Sequence, residues 1–385
     1  MPGSCGTTDR RCRTLGWAVS RPPFRAIWLD GTLALVGSKC VGRPSVTLRD
    51  RTNRPCDTRP LRSLPSSSSS TSKVRLFTIV PPLRRPRGGD LLCLWYGGSY
   101  ESSEDQVLFL ARRRKGGRVW QPPEVVVESH GQPPGNAVIF NDGGGRIWIV
   151  WGRMESERPI RRGSGWGRCR LLYRTSEDDG HSWSADQVLH DELGWLPRNL
   201  PITLSSGELL LPLSGRVDGS YGSFFLKTLD RGQTWSRSGV VRGGSQPTMI
   251  ERSDGALLML MRRSPRIPQS SSHDGGATWT VARSTGLRNP GAGIAMRKLR
   301  NGHVLLVFND TEGEPRSPLS VARSTDDGSS WAKPIQLESN PGEYSYPCIL
   351  QGSDGRIHIT YTCRRWAIKH VEMNEAWLTQ FERPD

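Results

Sequence analysis

The chain has 385 residues, a formal net charge of +16, 14 tryptophans and 43 glycines. Residues 1–73 carry 13 of the 53 Lys and Arg residues but only 4 of the 37 Asp and Glu residues, so a charge of +9 lies there. The remainder is mildly basic, which argues against nucleic acid as its partner. Apolar runs are far shorter than the ~18 residues that indicate a membrane span. The seven histidines and eight cysteines lack metal-ligand spacing, so we expect no metal and no cofactor.

The first 72 residues form a basic leader rich in Arg and Ser, which we expect to be disordered or to act as a transit peptide. Asp30 interrupts its best apolar stretch, so there is no clear secretory signal and the compartment stays open. The serine run at 66–70 is typical of a linker. We therefore predict that one folded domain spans residues 73–385.

Six short apolar strands, each directly after a glycine turn, recur at intervals of 56, 62, 48, 47 and 53 residues. These segments begin at Gly89, Gly145, Gly207, Gly255, Gly302 and Gly355. A period near fifty residues with several short strands in each repeat is typical of propeller blades. The sequence therefore predicts an all-β, six-bladed β-propeller.

Four eight-residue loops share the pattern Ser/Thr-x-Asp-x-Gly-x-x-Trp. They read SEDDGHSW (176–183), TLDRGQTW (228–235), SHDGGATW (272–279) and STDDGSSW (324–331). The Asp accepts backbone N–H bonds, the Gly permits a positive φ, and the Trp buries a large ring. We expect these loops to be structural, one in each blade. A degenerate copy, RRKGGRVW (113–120), keeps Gly117 and Trp120 but has Lys115 where the Asp should be.

These loops resemble the Asp-box, or BNR repeat, of the sialidases (neuraminidases) and their six-bladed relatives. The segments GEYSYPCILQ (342–351) and TCRRWAIKHV (362–371) are similar to the bacterial-type sialidase-like family, and the resemblance covers about residues 74–375. It implies an exo-glycosidase that hydrolyses a terminal sialic acid or related acidic sugar. Such enzymes use a tyrosine nucleophile, an aspartic general acid/base and three arginines that grip the substrate carboxylate.

The resemblance places the nucleophile at Tyr344, in the Tyr-Ser segment late in the chain. Tyr346, two residues on, is expected on the same face of a strand, and both tyrosines could instead simply pack that strand. The general acid is expected after the first core strand, at Asp105, with Glu104 and Glu101 as substitutes.

The resemblance also implies an arginine clamp, because the planar guanidinium pairs with a carboxylate through two hydrogen bonds. Its members are Arg75, Arg263 with Arg262 as its neighbour, and Arg316. The stretch around Arg75, VRLFTIV, lacks the proline that the family has there.

A second departure concerns the carboxylate that activates the tyrosine. Gln246 occupies the matching position, and a glutamine cannot take a proton from a phenol. Glu343 is an imperfect replacement, because neighbours on a strand face opposite sides. Further polar residues expected on the central face are Asn136, Asn199, Asn289, Arg364, Arg365 and His370.

Three functions remain open at the level of sequence. A sialidase-type hydrolase acting on a sialoside or another acidic glycan is favoured by the matching Asp, Arg and Tyr positions. A carbohydrate-binding propeller without turnover is favoured by Gln246. A protein-interaction propeller would suit a transit-like leader. Serine hydrolase, P-loop and zincin motifs are absent from the sequence, which excludes those classes.

Overall fold

The computed structural model of the chain describes residues 89–381, together with the backbone of three earlier strands, Phe24–Leu29 (β1), Thr32–Gly37 (β2) and Arg75–Val80 (β3). The strands β1 and β2 form a hairpin within the predicted leader, and β2 pairs with the last strand of the final sheet. The rest of the leader, with its predicted disorder, lies outside the described residues.

Six antiparallel sheets follow one another along the chain. The first sheet contains β3, Leu91–Gly97 (β4), Val107–Arg113 (β5) and Glu124–Val127 (β6). The second contains Pro134–Asn141 (β7), Ile147–Met154 (β8), Cys169–Ser176 (β9) and Gln187–His190 (β10). The third contains Leu196–Pro197 (β11), Ile202–Thr203 (β12), Leu209–Val217 (β13), Ser220–Thr228 (β14) and Ser236–Arg237 (β15). The fourth sheet contains Ser245–Glu251 (β16), Leu257–Arg262 (β17), Arg266–Ser272 (β18) and Arg283–Arg288 (β19). The fifth contains Ala295–Lys298 (β20), Val304–Asn309 (β21), Leu319–Ser324 (β22) and Ile335–Glu338 (β23). The sixth contains Tyr344–Gln351 (β24), Ile357–Cys363 (β25) and Ala367–Met373 (β26).

The first strand of each sheet lies nearest the centre of the ring. Strand β16 contacts β20, β20 contacts β24, β24 contacts β3, and β3 contacts β7. The contact between β24 and β3 closes the ring between the sixth sheet and the first. In the third sheet the inner strand is interrupted, because β11 and β12 both pair with β13 and leave residues 198–201 unpaired between them. The predicted six-bladed, all-β propeller is confirmed.

The second strand of each blade forms the core. These six strands are the ones that follow the glycine turns, and they are buried along almost their whole length. In β8, for example, the side chain of Trp151 is fully buried. A strand that packs against a neighbouring blade on each face reads as a continuous apolar run rather than an alternating one. Among the described residues, a short 3₁₀ helix, Trp166–Arg168, and one α-helix, Glu375–Phe381 (α1), complete the elements. In α1, Leu378 packs into the core of the sixth blade.

The four Asp-box loops join the third strand of a blade to the fourth, and their hydrogen bonds are nearly identical. The Ser or Thr hydroxyl accepts the N–H of the Gly at 2.8–2.9 Å. One Asp oxygen accepts the N–H four residues on at 2.8–2.9 Å. The tryptophans pack across to the neighbouring blade, as Trp235 does against Trp148 and Trp279 against Phe225. This geometry is that of a structural loop.

None of the helices among the described residues has the length and apolar character needed to cross a membrane.

Candidate active site

Tyr346 lies at an irregularity in the innermost strand of the sixth blade. The pairing of β24 with β25 shifts register between Ser345 and Cys348, and Tyr346 has a φ of 55°. A bulge of this kind turns its side chain away from the ordinary alternation. Tyr344 and Tyr346 therefore do not share a face: Tyr344 packs into the hydrophobic core with Trp95, and Tyr346 belongs to a different cluster.

The same irregularity recurs in the second and fourth blades. The register of β7 shifts around Asn136, which has a φ of 47°, and that of β16 shifts around Gln246, with a φ of 48°. Both side chains are half-buried. Positions 136, 246 and 346 are therefore equivalent places on three first strands.

Three guanidinium groups surround the Tyr346 ring. Their central carbons lie 5.8 Å (Arg198), 5.9 Å (Arg262) and 5.5 Å (Arg316) from the ring centroid. Each comes from a different blade: Arg198 from the gap between β11 and β12, Arg262 from the end of β17, and Arg316 from the connection 310–318. Distances below about 6 Å are those of cation–π contacts.

Arg198 is only 4% exposed and ties three blades together at the centre. Its guanidinium donates to the carbonyl of Ile294 at 2.6 Å and to that of Pro347 at 2.8 Å. Burial lowers the pKa of Arg198 to about 10, so it stays charged at neutral pH. The adjacent Asn199 is a predicted site residue, and its side-chain NH₂ donates to the backbone carbonyls of Gln246 and Pro247 at 3.1 and 2.8 Å.

Arg316 and Arg365 share one carboxylate. A guanidinium nitrogen of Arg316 lies 3.3 Å from Glu343 Oε1, and Arg365 pairs with the other oxygen of Glu343. Burial lowers the pKa of Arg316, but its interactions with Tyr346, Glu343 and Glu314 outweigh burial, so the pKa lies above its ordinary value. Glu343 thus serves as a counter-ion for two arginines.

Two N–H groups of this cluster have no hydrogen-bond acceptor among the residues that the structure describes. They are the Nε–H of Arg198 and that of Arg316, both buried; the Arg316 Nε lies 3.7 Å from Glu314 Oε1, which is beyond hydrogen-bond distance. A buried donor without an acceptor costs about 1–3 kcal/mol. Each such group calls for an explanation, such as a bound ion or water that completes its hydrogen bonding.

Arg262 and Arg263 point to different places. Arg262 donates to Gln246 Oε1 at 3.0 Å and to the carbonyl of Gly291 at 2.5 Å. Arg263 is exposed and donates to the carbonyl of Gly243 at 2.9 Å. The structure therefore brings Arg262, and not the predicted Arg263, to the tyrosine.

The loop after β4 carries the candidate acids. Asp105 accepts the N–H of Ser99 at 3.0 Å and its hydroxyl at 2.6 Å, so this carboxylate holds the loop. Glu101 is 9% exposed, and its carbonyl accepts the N–H of Gly163 in the second blade at 3.0 Å. Glu104 is exposed.

The other predicted residues lie in various surroundings. Asn289 is fully buried and accepts the N–H of Ala292 at 2.9 Å, a turn contact. Arg364 donates to the carbonyl of Pro341 at 3.3 Å. His370 stacks on His358, away from the centre. Arg75 begins β3, and its side chain lies outside the described part of the chain.

Two central residues, Tyr346 and Arg198, were missed or underrated at the level of sequence, although signals exist for both. The stretches Ser245-Gln246-Pro247 and Ser345-Tyr346-Pro347 begin equivalent strands, so the match of Tyr346 with Gln246 is readable. Arg198 lies between Pro197 and Pro201, where prolines predict an interrupted strand.

The chain matches the family model described as "BNR repeat-like domain" over residues 89–359, more than half of its length. No curated protein sequence matches it. Among solved structures, a Hadza microbial sialidase is 20% identical with a TM-score of 0.66, over 78% of this chain and 66% of that one.

Two further solved structures are also similar in fold. The intramolecular trans-sialidase from Ruminococcus gnavus is 14% identical with a TM-score of 0.64, over 81% of this chain and 96% of that one. The leech intramolecular trans-sialidase is 15% identical with a TM-score of 0.65, over 80% and 69%. Identities this low carry the fold and not the chemistry.

Proposed function

The chain belongs to the family of BNR repeat-like domains, and from this premise we propose that it is a glycoside hydrolase of the sialidase type, acting on a terminal sialic acid or a related acidic sugar. The observation that carries the proposal is the convergence of Arg198, Arg262 and Arg316 on Tyr346. In this proposal the arginines bind the sugar carboxylate and Tyr346 attacks the anomeric carbon.

The charges in the cluster support an acidic substrate. Four arginines, Arg198, Arg262, Arg316 and Arg365, face two carboxylates, Glu343 and the exposed Glu314, which lies 3.7 Å from Arg316. A planar guanidinium pairs with a carboxylate through two parallel hydrogen bonds, and the Nε–H groups of Arg198 and Arg316 have no hydrogen-bond acceptor among the described residues. A carboxylate of the substrate would satisfy them and balance the excess positive charge.

A tyrosine suits this substrate better than a carboxylate nucleophile does. The anomeric carbon of a sialic acid bears a carboxylate, which repels a second negative charge, and sialidases are the tyrosine exception among glycosidases. Guanidinium groups close to a phenol stabilise its anionic form. In this proposal the arginines favour loss of the phenol proton, which passes to solvent water because Gln246 cannot accept it.

The leaving oxygen needs an acid, and the loop 98–106 is its proposed source. Asp105 and Glu101 both lie on this loop. Asp105 is engaged by Ser99, whereas Glu101 is nearly enclosed. Replacing each separately, as Asp105→Asn and Glu101→Gln, identifies the acid as the one whose loss removes turnover of a substrate with a poor leaving group.

The experiment is the release of 4-methylumbelliferone from its sialoside by the full chain. Tyr346→Phe is expected to lower kcat by at least about a hundredfold, because the nucleophile is gone. Tyr344→Phe is the matched control, since that ring packs in the core, and it is expected to retain activity. Loss of activity in Tyr344→Phe alone would contradict the assignment.

A second pair of variants tests the clamp. Arg262→Ala is expected to lower kcat/KM by roughly 10–150-fold, the loss of one charge-assisted hydrogen-bonded contact. Arg263→Ala, one residue away and exposed, is expected to change it by less than about twofold. Equal losses of kcat/KM in the two variants would contradict the proposal that the arginine cluster binds the substrate carboxylate.

Gln246 favours one other function, a carbohydrate-binding propeller without turnover. Its amide oxygen accepts Arg262 at 3.0 Å, so an uncharged group stands where an activating carboxylate is expected. This function predicts no release of the fluorophore by the full chain, together with binding of the intact sialoside that Arg262→Ala abolishes.

A further inference from the structure

The degenerate loop Arg113–Trp120 of the first blade does not use the Asp-box hydrogen bonds. In the four intact loops a Ser or Thr hydroxyl and an Asp carboxylate accept the bonds that close the turn. Arg113 and Lys115 stand at these two positions. Neither a guanidinium nor an ammonium group accepts a hydrogen bond, so other contacts hold this loop.

Those contacts reach the sixth blade and the start of β4. Arg113 donates to Glu372 Oε2 at 2.8 Å, on β26. The backbone N–H of Lys115 donates to Asp90 at 3.0 Å. The aliphatic stem of Lys115 lies over Gly89, where an added Cβ would come within 2.6 Å of its Cδ. The loop is thus held by its neighbours, and Lys115 occupies the position where the four intact loops have a carboxylate.

A cavity of about 490 Å³ opens between this loop and the loop 352–356 of the sixth blade. Its size is that of a small-molecule site, which commonly spans ~300–1,000 Å³. Five cationic side chains line it: Arg113, Arg114, Lys115, Arg118 and Arg356.

Two carboxylates also line the cavity, and both are engaged. Glu372 is paired through one oxygen with Arg113 and through the other with Arg356. Asp354 accepts the N–H of Arg356 at 3.2 Å. Five cations against two acids leave the lining with an excess of three positive charges.

The cavity is separate from the candidate active site. Strand β24 begins beside the arginine cluster and ends at Gln351, directly before the loop 352–356. Six residues separate Tyr346 from Gly352, and an extended strand rises about 3.3 Å per residue, so the two sites lie roughly 20 Å apart at opposite ends of the propeller.

We propose that this cavity binds a compact polyanion, of the size and chemistry of a pyrophosphate group. Arginine and lysine are the residues that recognise phosphate, arginine by its planar fork and lysine as a point charge. The charge that the degenerate repeat gained at Lys115 is therefore a binding determinant and not a neutral loss of the Asp-box.

A cation is the other ligand that this corner of the molecule suggests. His358, His370 and Glu372 place one ligand atom each within 4.8 Å of one another. Both oxygens of Glu372 are already paired with arginines, and an incoming cation would meet the excess of positive charge. The surroundings therefore favour an anion.

The test is isothermal titration calorimetry of the full chain with inorganic pyrophosphate at low ionic strength, with orthophosphate and sulfate as smaller probes. Pyrophosphate is expected to bind most tightly, and its affinity is expected to fall as salt is added. Lys115→Asp restores the Asp of the repeat and is expected to weaken binding at least tenfold. Arg118→Ala, a second exposed position in the lining, is expected to weaken it severalfold.

Lys333→Asp is the matched control. It makes the same charge change at an exposed lysine directly after the intact Asp-box of the fifth blade. It is expected to leave pyrophosphate binding within twofold of wild type. The proposal is overturned if pyrophosphate does not bind, if the Lys115 and Lys333 variants weaken it equally, or if Zn²⁺ binds and pyrophosphate does not.

Discussion

The contact between each Asp-box and the neighbouring blade gives a sharp prediction at Gly276. This residue has a φ of +88°, and an added Cβ would lie 2.2 Å from Cζ of Phe225 in the third blade. Phe225 is fully buried and packs edge-on against Trp279 of the same Asp-box, with ring centroids 6.2 Å apart. The adjacent Gly275 has a φ of +66°, but nothing lies within 4 Å of its Cβ position.

These two glycines separate backbone strain from interblade packing. A side chain on left-handed backbone costs about 1–2 kcal/mol, and that is the whole expected effect of Gly275→Ala. Gly276→Ala adds an overpacked contact with Phe225, which costs about 1–3 kcal/mol more. Its expected loss of unfolding free energy is therefore roughly 2–5 kcal/mol.

Thermal unfolding followed by circular dichroism measures the difference. At about 2–4 °C per kcal/mol, the extra 1–3 kcal/mol is expected to place the Tm of Gly276→Ala roughly 2–12 °C below that of Gly275→Ala. Phe225→Leu in the Gly276→Ala background is expected to cost less than in wild type, because it removes the atom that clashes. Equal Tm values for the two alanine variants would refute the interblade role of the loop.

Two other predictions concern charge. Gln246→Glu places a carboxylate on the fourth blade, at the position equivalent to Tyr346. We expect kcat for the sialoside to rise at least about tenfold, because a general base accelerates a reaction by about 10²–10⁴-fold. An unchanged kcat in steady-state assays would contradict this. Hydroxyl donors lower the pKa of Asp230, Asp274 and Asp326 to about 2. A carboxyl group whose pKa is lower in the folded than in the unfolded chain stabilises the fold at any pH above its unfolded pKa, which is about 4. That stabilisation is lost as the pH falls from about 4 to 2. The Tm is expected to fall over this range, and Asp274→Asn is expected to reduce the fall; an unaltered pH profile in that variant would count against the loop as its source.

The architecture was readable from the sequence because its signals are local and repeated. Each of the six glycine turns precedes a buried second strand, and the glycine of each turn has a positive φ. In each Asp-box loop the hydrogen bonds join residues four positions apart, and one tryptophan completes the motif. A stretch of eight residues is therefore enough to recognise the loop. Repetition, six times for the glycine turn and four times for the Asp-box, makes each pattern specific even where a single copy is weak.

The orientation of individual side chains was not readable in the same way. Arg262 and Arg263 are neighbours, and which of them reaches Tyr346 depends on where β17 ends. Tyr344 and Tyr346 would share a face on a regular strand, but the bulge between them separates them. A shift of one residue exchanges the two faces of a strand, so the period of two fails at the place where the site is built.

Three bulges lie on first strands, at residues that belong to the candidate site or that the sequence places there. Asn136, Gln246 and Tyr346 adopt a left-handed φ that costs a non-glycine residue about 1–2 kcal/mol, and glycine would adopt it freely. The chain uses glycine at every turn before a second strand but not at these three positions. Each instead carries a polar or aromatic side chain on a first strand near the centre. Strain of this kind persists only where surrounding contacts fix the conformation, and the three arginines around the Tyr346 ring supply such contacts.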